Sequence, residues 1–528
     1  MDNRTIIAIV LIILLWSGYS LFFTPTPMPQ IITDETDRKV AAVETHKEND
    51  YRSIVTSGSQ SPHEEKLIEL KNDIYTIVFS TKGASIKSIR FSDYKDDEKN
   101  ENSNFYLINS KNFDTYSFKS SISEGLTIPE DLHYFLVDSG ETNFDFGNDS
   151  ILLTFKSEYS GFSIVKTFKI YKNSYHIDTA FTIQNNNQEH FAGKYSFSLI
   201  TPWSTDEKSD FYSFVGPLTF DGNKLQEDKP KNVVKNSVIY NDFTWSGFTD
   251  KYFLQALNPG NDIDQVLIRY SSDIIENKFS SGSFILLPGQ SKSFQHVGYL
   301  GPKNLESLSL GNSSFEEAIH FGFFHFLAKP LFDVLRFFNG YINNYGFSII
   351  LLTVCIKLIF WPLTQKSYKS MQGMQKLQPE MKRLKEKFAD DKQRLNQEMM
   401  SFYRDNKVNP LGGCLPILIQ IPVFFSLYKV LLDSIELRHA PFILWISDLS
   451  AKDPYYITPI IMGASMFLQQ KLTPTNLDPT QEKVMLMMPI IFTFLFLNFP
   501  AGLVIYWLVN NLLTILQQLI IRRQAQKA

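Results

Sequence analysis

Apolar residues form long runs at both ends of the chain and short alternating runs between them. Near the N-terminus, Thr5 to Phe23 are nineteen uncharged, mostly aliphatic residues, long enough as a helix to cross a hydrocarbon core of about 30 Å. A cleaved signal peptide should end in a small-x-small site, whereas this run ends in Leu21-Phe22-Phe23-Thr24-Pro25. The pattern therefore favours an uncleaved anchor at 1–23 over a removed signal peptide.

Four further apolar blocks lie late in the chain: Gly346 to Leu363, Leu411 to Tyr428, Tyr455 to Gln470 and Met485 to Ile521. The last block would make a helix of about 55 Å, and the turn signal Asn498-Phe499-Pro500-Ala501-Gly502 lies near its middle. We therefore predict two helices there. The total is six membrane-spanning helices, an N-terminal anchor plus a five-helix core. Because several spans are short and contain proline, the bundle should tilt, kink or locally thin the bilayer.

The segment between the first and second spans has the period-two pattern of β-strands. From Tyr175 to Ile183, aromatic, aliphatic and threonine side chains alternate with their neighbours. Short runs of this kind continue from about Leu67 to Tyr299, and helical periodicity is nearly absent. We predict an all-β domain, a β-sandwich over residues 65–314, after a polar flexible tether at 24–64. The pattern argues against βαβ units and nucleotide-binding folds.

Two other segments predict amphipathic helices. Residues 315–341 carry one polar stripe among Phe and Leu, which is typical of a helix lying in the outer membrane interface; packing on the sandwich is the alternative. Residues 364–409 place apolar residues at helical spacing and predict a helical hairpin, whose Met-rich seam is either its core or a surface for varied partners. The remaining predicted segments are spans at 346–363, 411–432, 455–470, 485–498 and 502–521, loops at 433–454 and 471–484, and a basic tail at 522–528.

Charge is divided unevenly along the chain, although the formal net charge is only -4. Residues 24–345 carry 30 basic and 42 acidic side chains, whereas residues 346–528 carry 20 and 12. The segment 364–409 holds eleven basic and six acidic residues, and 433–454 holds two and four. Because cytoplasmic loops carry the excess of Lys and Arg, both termini and the basic hairpin are predicted in the cytoplasm. The large acidic domain then lies on the opposite side of the membrane.

Composition excludes several classes of protein. Charged residues at 20% and aromatic residues at 14% exclude a disordered chain, a coiled-coil rod and a small disulfide scaffold. The two cysteines, Cys355 and Cys414, lie in apolar runs, and the nine histidines show no ligand spacing. The sequence therefore predicts no metal and no cofactor. It also contains no GxxxxGK[ST] loop for nucleotide hydrolysis.

One charged residue, Lys357, lies inside the second span between apolar neighbours. A charge at a helix centre costs about 2.5 to 3.5 kcal/mol unless it reaches water or a partner. Snorkelling toward the cytoplasmic headgroups is the simplest interpretation. The later spans supply uncharged polar groups, and the second span supplies one more; these groups are Thr353, Gln420, Ser426, Ser465, Gln469, Thr493, Asn510, Asn511, Thr514 and Gln517. Hydrogen bonding between helices explains each of these polar residues taken singly. Taken together with Lys357, they predict a polar, hydrated groove open to the cytoplasm.

Four motifs in the second half are long and specific. They are Asn409 to Pro422 (NPLGGCLPILIQIP), Ala440 to Ser450 (APFILWISDLS), Asp453 to Tyr456 (DPYY) and Phe499 to Leu503 (FPAGL). With these motifs the region 346–521 resembles the YidC family of membrane protein insertases. The anchor and the large β domain resemble the Gram-negative form of that family in layout.

The resemblance implies a non-enzymatic insertase and folding chaperone of the inner membrane, with the β domain in the periplasm. Its partners would be nascent membrane proteins, the Sec translocon, the lipid bilayer, and a ribosome or targeting receptor at the basic hairpin and tail; no nucleic acid would be read directly. The family keeps a positive residue, typically Arg, in a cytoplasm-facing groove, and Lys357 matches it. Substrates slide along the second and last of the conserved spans, which match Thr353, Tyr506 and Trp507. Asn498 departs from the family's aromatic residue before the Phe-Pro turn. The predicted groove comprises Lys357, Thr353, Gln420, Tyr506, Trp507, Asn510 and Gln517.

Two other functions stay open at this level. A membrane peptidase with a Ser-Lys pair would need Ser426 or Ser465 beside Lys357. A small-solute transporter should show repeated halves with matching broken helices, and the sequence shows no such repeat. The stretch Ser163 to Lys166 matches SxxK, but in the predicted strand these two side chains face opposite sides.

Overall fold

The computed structural model describes residues 64–95, 104–109, 116–137, 143–146, 149–203, 213–311, 313–388, 391–406, 415–473 and 479–527. The predicted anchor, nearly all of the tether and residues 409–414 of the first long motif lie outside these ranges. Within them, the chain is rich in β-strands as far as Pro302 and mainly helical from His325 onward. A β-rich domain followed by a helical region is therefore confirmed.

Strands of the described chain form three sheets. In chain order the strands are β1 Leu67–Lys71, β2 Tyr75–Ser80, β3 Ser85–Lys95, β4 Asn104–Asn109, β5 Lys119–Ser123, β6 Phe135–Leu136, β7 Asn143–Asp145, β8 Ser150–Tyr159, β9 Phe162–Tyr171, β10 His176–Asn185, β11 Phe191–Pro202, β12 Gly216–Phe220, β13 Leu225–Glu227, β14 Val238–Tyr240, β15 Trp245–Thr249, β16 Phe253–Asn258, β17 Gln265–Ser271, β18 Ile274–Leu286 and β19 Ser291–Pro302. The first sheet has the order β4-β3-β2-β1-β7, the central sheet β13-β12-β15-β16-β19-β10-β9-β8-β6, and the third β14-β17-β18-β11-β5. Neighbouring strands pair antiparallel apart from β1 with β7, which are parallel.

Alternation along β10 explains how two sheets share one core. Its residues Ile177, Thr179, Phe181 and Ile183 are buried, and the residues between them are partly exposed. The Phe181 ring lies 4.9 Å from that of Tyr195 on β11, so the central sheet packs against the third. Burial of the apolar face of β10 therefore fixes its pairing register.

The SxxK stretch lies on β9, and its two polar side chains are on opposite faces. Ser163 is partly exposed, whereas Lys166 is buried. The Lys166 ammonium donates to the carbonyl oxygens of Phe118 and Gly83, at 2.5 and 3.3 Å. Burial lowers the pKa of Lys166 well below its ordinary value. The lysine links strands of the core and forms no nucleophilic pair with Ser163.

The helices of the described chain are α1 Pro230–Val233, α2 Leu305–Leu308, α3 His325–Ile342, α4 Tyr345–Lys376, α5 Gln378–Lys387, α6 Lys392–Asp405, α7 Leu415–Asp433, α8 Ile457–Leu472, α9 Pro479–Phe496 and α10 Ala501–Lys527. By length and apolar composition, the parts 345–376 and 501–524 of the described chain can each cross a membrane. Helix α4 runs well past Leu363, where the second span was predicted to end. Pro362 does not end it, because neighbouring helices can satisfy the backbone groups that a proline frees.

The segment predicted as one amphipathic helix is divided. Two 3-10 turns, Phe315–Ala318 and Gly322–Phe324, precede α3, and Gly322 has a φ of +68°, which interrupts a helix. On α3, Phe332 and Leu335 are buried against the other helices, so this face packs inside the helical region. Its opposite face leaves large apolar side chains exposed, namely Phe326 at 71%, Phe337 at 59% and Tyr341 at 77%.

The long apolar block divides where the turn signal lies. Helix α9 ends at Phe496 and α10 begins at Ala501. The first amides of α10 donate to the loop between α7 and α8, from Ala501 to the Ala451 carbonyl at 2.7 Å and from Gly502 to that of Leu449 at 2.9 Å. This loop therefore satisfies the N-terminal amides that a helix leaves unpaired.

Helices α8 and α9 approach closely at Gly463. A Cβ added there would collide with the Thr493 hydroxyl. We expect Gly463→Ala to lower the free energy of unfolding by about 1–3 kcal/mol, because the helices must separate. The midpoint of thermal unfolding in detergent measures the change. Gly340→Ala on α3 is the matched control, since nothing lies within 4 Å of its added Cβ; an equal loss in both variants would contradict a specific contact.

The loop after α7 also joins the helices to the β domain. The Arg438 guanidinium donates to the Lys95 carbonyl at 2.6 Å. Its central carbon lies over three aromatic rings, those of Phe105, Tyr252 and Phe253, at 5.5, 5.2 and 5.5 Å from their centroids. At the start of the loop, Ser213 donates to Asp433 at 2.6 Å, and Arg336 of α3 pairs with Glu306 at 2.7 Å. The helical region is thus held to the β domain by polar and cation–π contacts.

A buried carboxyl group lies at the same junction. Both oxygens of Glu436 are buried, and neither has a hydrogen-bond partner in another residue of the described chain. Burial raises the pKa of Glu436 to about 7, although Arg336 opposes the shift. Nearby on β3, burial raises the pKa of the Tyr94 hydroxyl to about 12, and the negative charge of Glu436 contributes to this rise.

We expect Glu436→Gln to stabilise the protein above pH 7. The pKa of the Glu436 carboxyl is higher in the folded protein than its unfolded value of 4.5. The contribution of this group to the free energy of unfolding is therefore greatest below about pH 4.5, and it is lost as the pH rises through about 7. The loss amounts to about 3 kcal/mol, and glutamine should remove it. Thermal midpoints at pH 5 and pH 8 measure the effect, with the exposed Glu317→Gln as control. Equal pH dependence in wild type and Glu436→Gln would refute the assignment.

Candidate functional site

A polar seam runs between α4 and α10 among otherwise apolar helices. On α10, uncharged polar residues recur every three to four positions, which places them along one side of the helix. They are Asn510, Asn511, Thr514, Gln517 and Gln518. Neither α4 nor α10 contains Asp or Glu, so the seam has no carboxylate of its own.

Lys357 lies at the middle of this seam. Its ammonium donates to the Thr514 hydroxyl at 2.8 Å, and Thr514 in turn donates to the Asn510 carbonyl. The side chain is half-buried, and the described residues place no carboxylate within ion-pair distance of it. Lysine has three donors, so a partner with acceptor groups can still bind. The side chain is directed across the helix interface at α10.

Further along α4, the hydrogen bonds continue as a ladder. The Gln517 amide donates to the Thr364 hydroxyl at 2.6 Å, and the Gln518 amide donates to Tyr368 at 2.8 Å and to Thr473 at 2.9 Å. Thr364, Tyr368 and Thr473 were absent from the polar groups singled out in the sequence, as was Gln518. For Thr364 and Tyr368, the signal that could have found them is their helical spacing from Lys357 along α4, and for Gln518 it is the polar stripe along α10.

The other end of the seam is aromatic. Tyr506 is 2% exposed and accepts a hydrogen bond from the Gln420 amide of α7 at 2.8 Å. The Trp507 rings lie 4.9 Å from Phe424 of α7 and 5.2 Å from Phe496 of α9. Gln420, Tyr506 and Trp507 are therefore brought together where α7, α9 and α10 meet.

Thr353 is not brought to the seam. It is 1% exposed, and its hydroxyl donates to the Ile349 carbonyl of its own helix at 2.6 Å. Helix-buried threonine commonly bonds the carbonyl one turn earlier. Of the seven predicted groove residues, Lys357, Asn510 and Gln517 line the seam. Gln420, Tyr506 and Trp507 lie at its aromatic end, and Thr353 packs inside the bundle.

The serines proposed for a peptidase have other partners. Ser426 donates to the Pro422 carbonyl at 2.7 Å, and Ser465 donates to that of Met462 at 2.6 Å and accepts from Asn511. Lys357 bonds a threonine that is itself bonded to the backbone. This arrangement does not activate a serine nucleophile, which needs a base within hydrogen-bond reach.

Comparisons with known proteins cover nearly the whole chain. A family model described as "60Kd inner membrane protein" matches residues 337–528, and one described as "YidC periplasmic domain" matches residues 67–334. A relative from Geotalea daltonii named membrane protein insertase YidC is 40% identical over 532 residues, covering 99% of each chain. This chain belongs to the YidC family.

A second relative carries the same name. A relative of the same name from Citrifermentans bemidjiense is 41% identical over 99% of both chains. A crystal structure of an active YidC insertase with its first transmembrane domain resolved covers 86% of this chain and 92% of that one, at 18% identity and a TM-score of 0.38. Family relatives are named as insertases and not as enzymes. Membership therefore confirms an inner-membrane insertase of nascent membrane proteins, with a β-rich domain in the periplasm.

Proposed function

We propose that substrate segments enter the bilayer along the seam between α4 and α10, and that Lys357 attracts the acidic residues of their translocated flank. The single observation that carries this proposal is the contact from Lys357 to Thr514 across the two helices. This contact holds a cation in a polar interface between two helices that contain no carboxylate. An acidic group of a substrate would therefore be the first to form an ion pair with Lys357.

The mechanism follows from the bilayer as a solvent. A polar flank that crosses the hydrocarbon core leaves its polar groups unsatisfied at a cost of several kcal/mol each. The ladder from Lys357 to Gln518 supplies hydrogen-bond partners over part of that path. The apolar residues of the substrate then move sideways into lipid, driven by the burial of apolar surface.

Short helices support local thinning of the bilayer. Helix α8 has 16 residues and so spans about 24 Å, less than a hydrocarbon core of about 30 Å. The apolar part of α9, Met485–Phe496, is shorter still. A bilayer that thins to meet them shortens the path of the polar flank.

The finer architecture belongs to the same proposal. We propose six spans with both termini in the cytoplasm, a β-sandwich in the periplasm, and α3 lying in the outer interface through its exposed aromatic face. We also propose the domain boundaries predicted from the sequence, except that the interfacial helix begins at His325. The basic helices α5 and α6 would meet the ribosome or a targeting receptor through electrostatics, and larger substrates would be passed from the Sec translocon.

Insertion into liposomes that contain only the full-length chain tests the function. The probe is a small two-span protein with an acidic translocated loop, and its protection from added protease is the readout. We expect protection with the full chain and none in empty liposomes. A double variant, Thr514→Val with Gln517→Leu, keeps the packing but removes two polar groups of the seam, and it should slow insertion severalfold. Full insertion by this variant would show that the seam is not the path.

A further inference from the structure

A polar cavity lies at the end of the seam, at the C-terminal ends of α4, α8 and α10, and shares Tyr368 and Gln518 with the ladder. Its volume is about 120 Å³. Six of the residues that line it are Tyr368, Gln372, Lys471, Thr473, Gln518 and Arg522. Polar side chains dominate this lining, so the cavity suits a polar ligand.

Gln518 provides a buried acceptor with no donor. The residue is 6% exposed, and its amide nitrogen already donates to Tyr368 and Thr473. Its amide oxygen is buried and has no hydrogen-bond partner in the described chain. A buried acceptor left unpaired loses the hydrogen bond that water would give it, so a ligand with a hydroxyl or ammonium hydrogen would be favoured there.

The cavity also carries positive charge. Lys471 and Arg522 line it, no Asp or Glu is among its lining residues, and no ion pair joins either cation to a carboxylate in the described part of the chain. Since Tyr368 accepts from Gln518, its own hydroxyl hydrogen is left to donate. Two cations beside a phenol hydroxyl are typical partners of a phosphate group.

The position of the cavity favours a lipid over a free anion. The loop that contacts the β domain precedes α8, so the end of α8 at Leu472 is the end far from that domain. Helix α8 is about 24 Å long. With a bilayer thinned to meet α8, as proposed above, the cavity lies near the headgroups of the leaflet opposite the periplasmic domain.

We propose that this cavity binds the headgroup of an anionic glycerophospholipid of the cytoplasmic leaflet. Lys471, Arg522 and the Tyr368 hydroxyl hold the phosphate, and the Gln518 amide oxygen accepts from a headgroup hydroxyl. Phosphatidylglycerol offers both groups in one molecule. The proposal goes beyond insertion and does not require the groove to act as proposed above.

Native mass spectrometry of the full-length protein with phosphatidylglycerol tests the site directly. The variant is Lys471→Gln with Arg522→Gln. The matched control is Lys369→Gln with Arg523→Gln, which removes two exposed cations near the same membrane surface that do not line the cavity. We expect the cavity variant to bind the lipid at least about tenfold more weakly, because it loses both charge-assisted hydrogen bonds to the phosphate. The control should change less than twofold, because its two cations do not line the cavity.

Two further arms separate the possible outcomes. Gln518→Leu should reduce the preference for phosphatidylglycerol over phosphatidic acid, which lacks the headgroup hydroxyls, and this change would support the assigned acceptor. Inorganic phosphate in millimolar excess should leave the bound lipid in place. Displacement by phosphate would overturn the lipid assignment in favour of a soluble anion. If lipid binding weakens equally in the cavity and control variants, general surface charge explains the binding and the proposed site is wrong.

Discussion

Replacement of Lys357 by methionine should lower the insertion of a substrate with an acidic translocated flank by about tenfold or more. Methionine keeps an unbranched apolar stem but removes the ammonium group and its charge. A hydrogen bond to a charged group contributes about 1.5–3 kcal/mol, and each 1.4 kcal/mol is a factor of ten. Insertion rates in liposomes that contain only the full-length chain measure the loss.

Three comparisons isolate the charge of Lys357. Lys357→Arg should retain insertion, because arginine also carries a positive charge and donates. Lys366→Met removes an exposed cation of the same helix outside the seam and should change little. A substrate whose flank is neutral should insert equally with wild type and Lys357→Met. If the acidic substrate also inserts equally with both, Lys357 serves only its contact with Thr514, and the polar ladder must act without it.

Removal of the Arg438 side chain should loosen the β domain from the helices. Arg438→Ala deletes a charged hydrogen bond to the Lys95 carbonyl and three cation–π contacts. Together these contribute about 3 kcal/mol, or roughly a hundredfold in the equilibrium for opening the junction. Amide hydrogen exchange of β3 and of the loop around Arg438 should rise accordingly, while the strands of the central sheet keep their protection.

Two arginine variants control for the loss of charge. Arg438→Lys keeps the charge but not the planar group that covers the rings, so we expect an intermediate increase in exchange. Arg269→Ala removes a half-exposed arginine of β17 that pairs with Glu276. That variant should leave the junction unchanged. Unaltered exchange in Arg438→Ala would mean that other contacts, such as Ser213 with Asp433, hold the junction without it.

The parts of the fold that were predicted are those that depend on neighbouring residues. The alternation along β10 and the turn signal at Asn498 to Gly502 act over a few residues, and the structure has a strand and a helix break at these places. The length of α4 was not predicted, because nothing in residues 364–376 ends a helix and the apolar pattern alone set the limit at Leu363. Hydropathy locates the apolar part of a helix that faces lipid, but it does not show how far the helix continues through polar residues.

By itself, the sequence determined the β-rich and helical parts, the apolar surroundings of Lys357 and the motifs of the YidC family. Only the tertiary structure decided the partners: Lys357 with Thr514, Gln518 with Tyr368, and Arg438 with rings from separate strands. It also decided that Thr353 packs inside the bundle. The physical reason is that each of these contacts joins residues far apart in the chain. Helical spacing shows which side chains share a face, but the packing of the helices decides what that face meets.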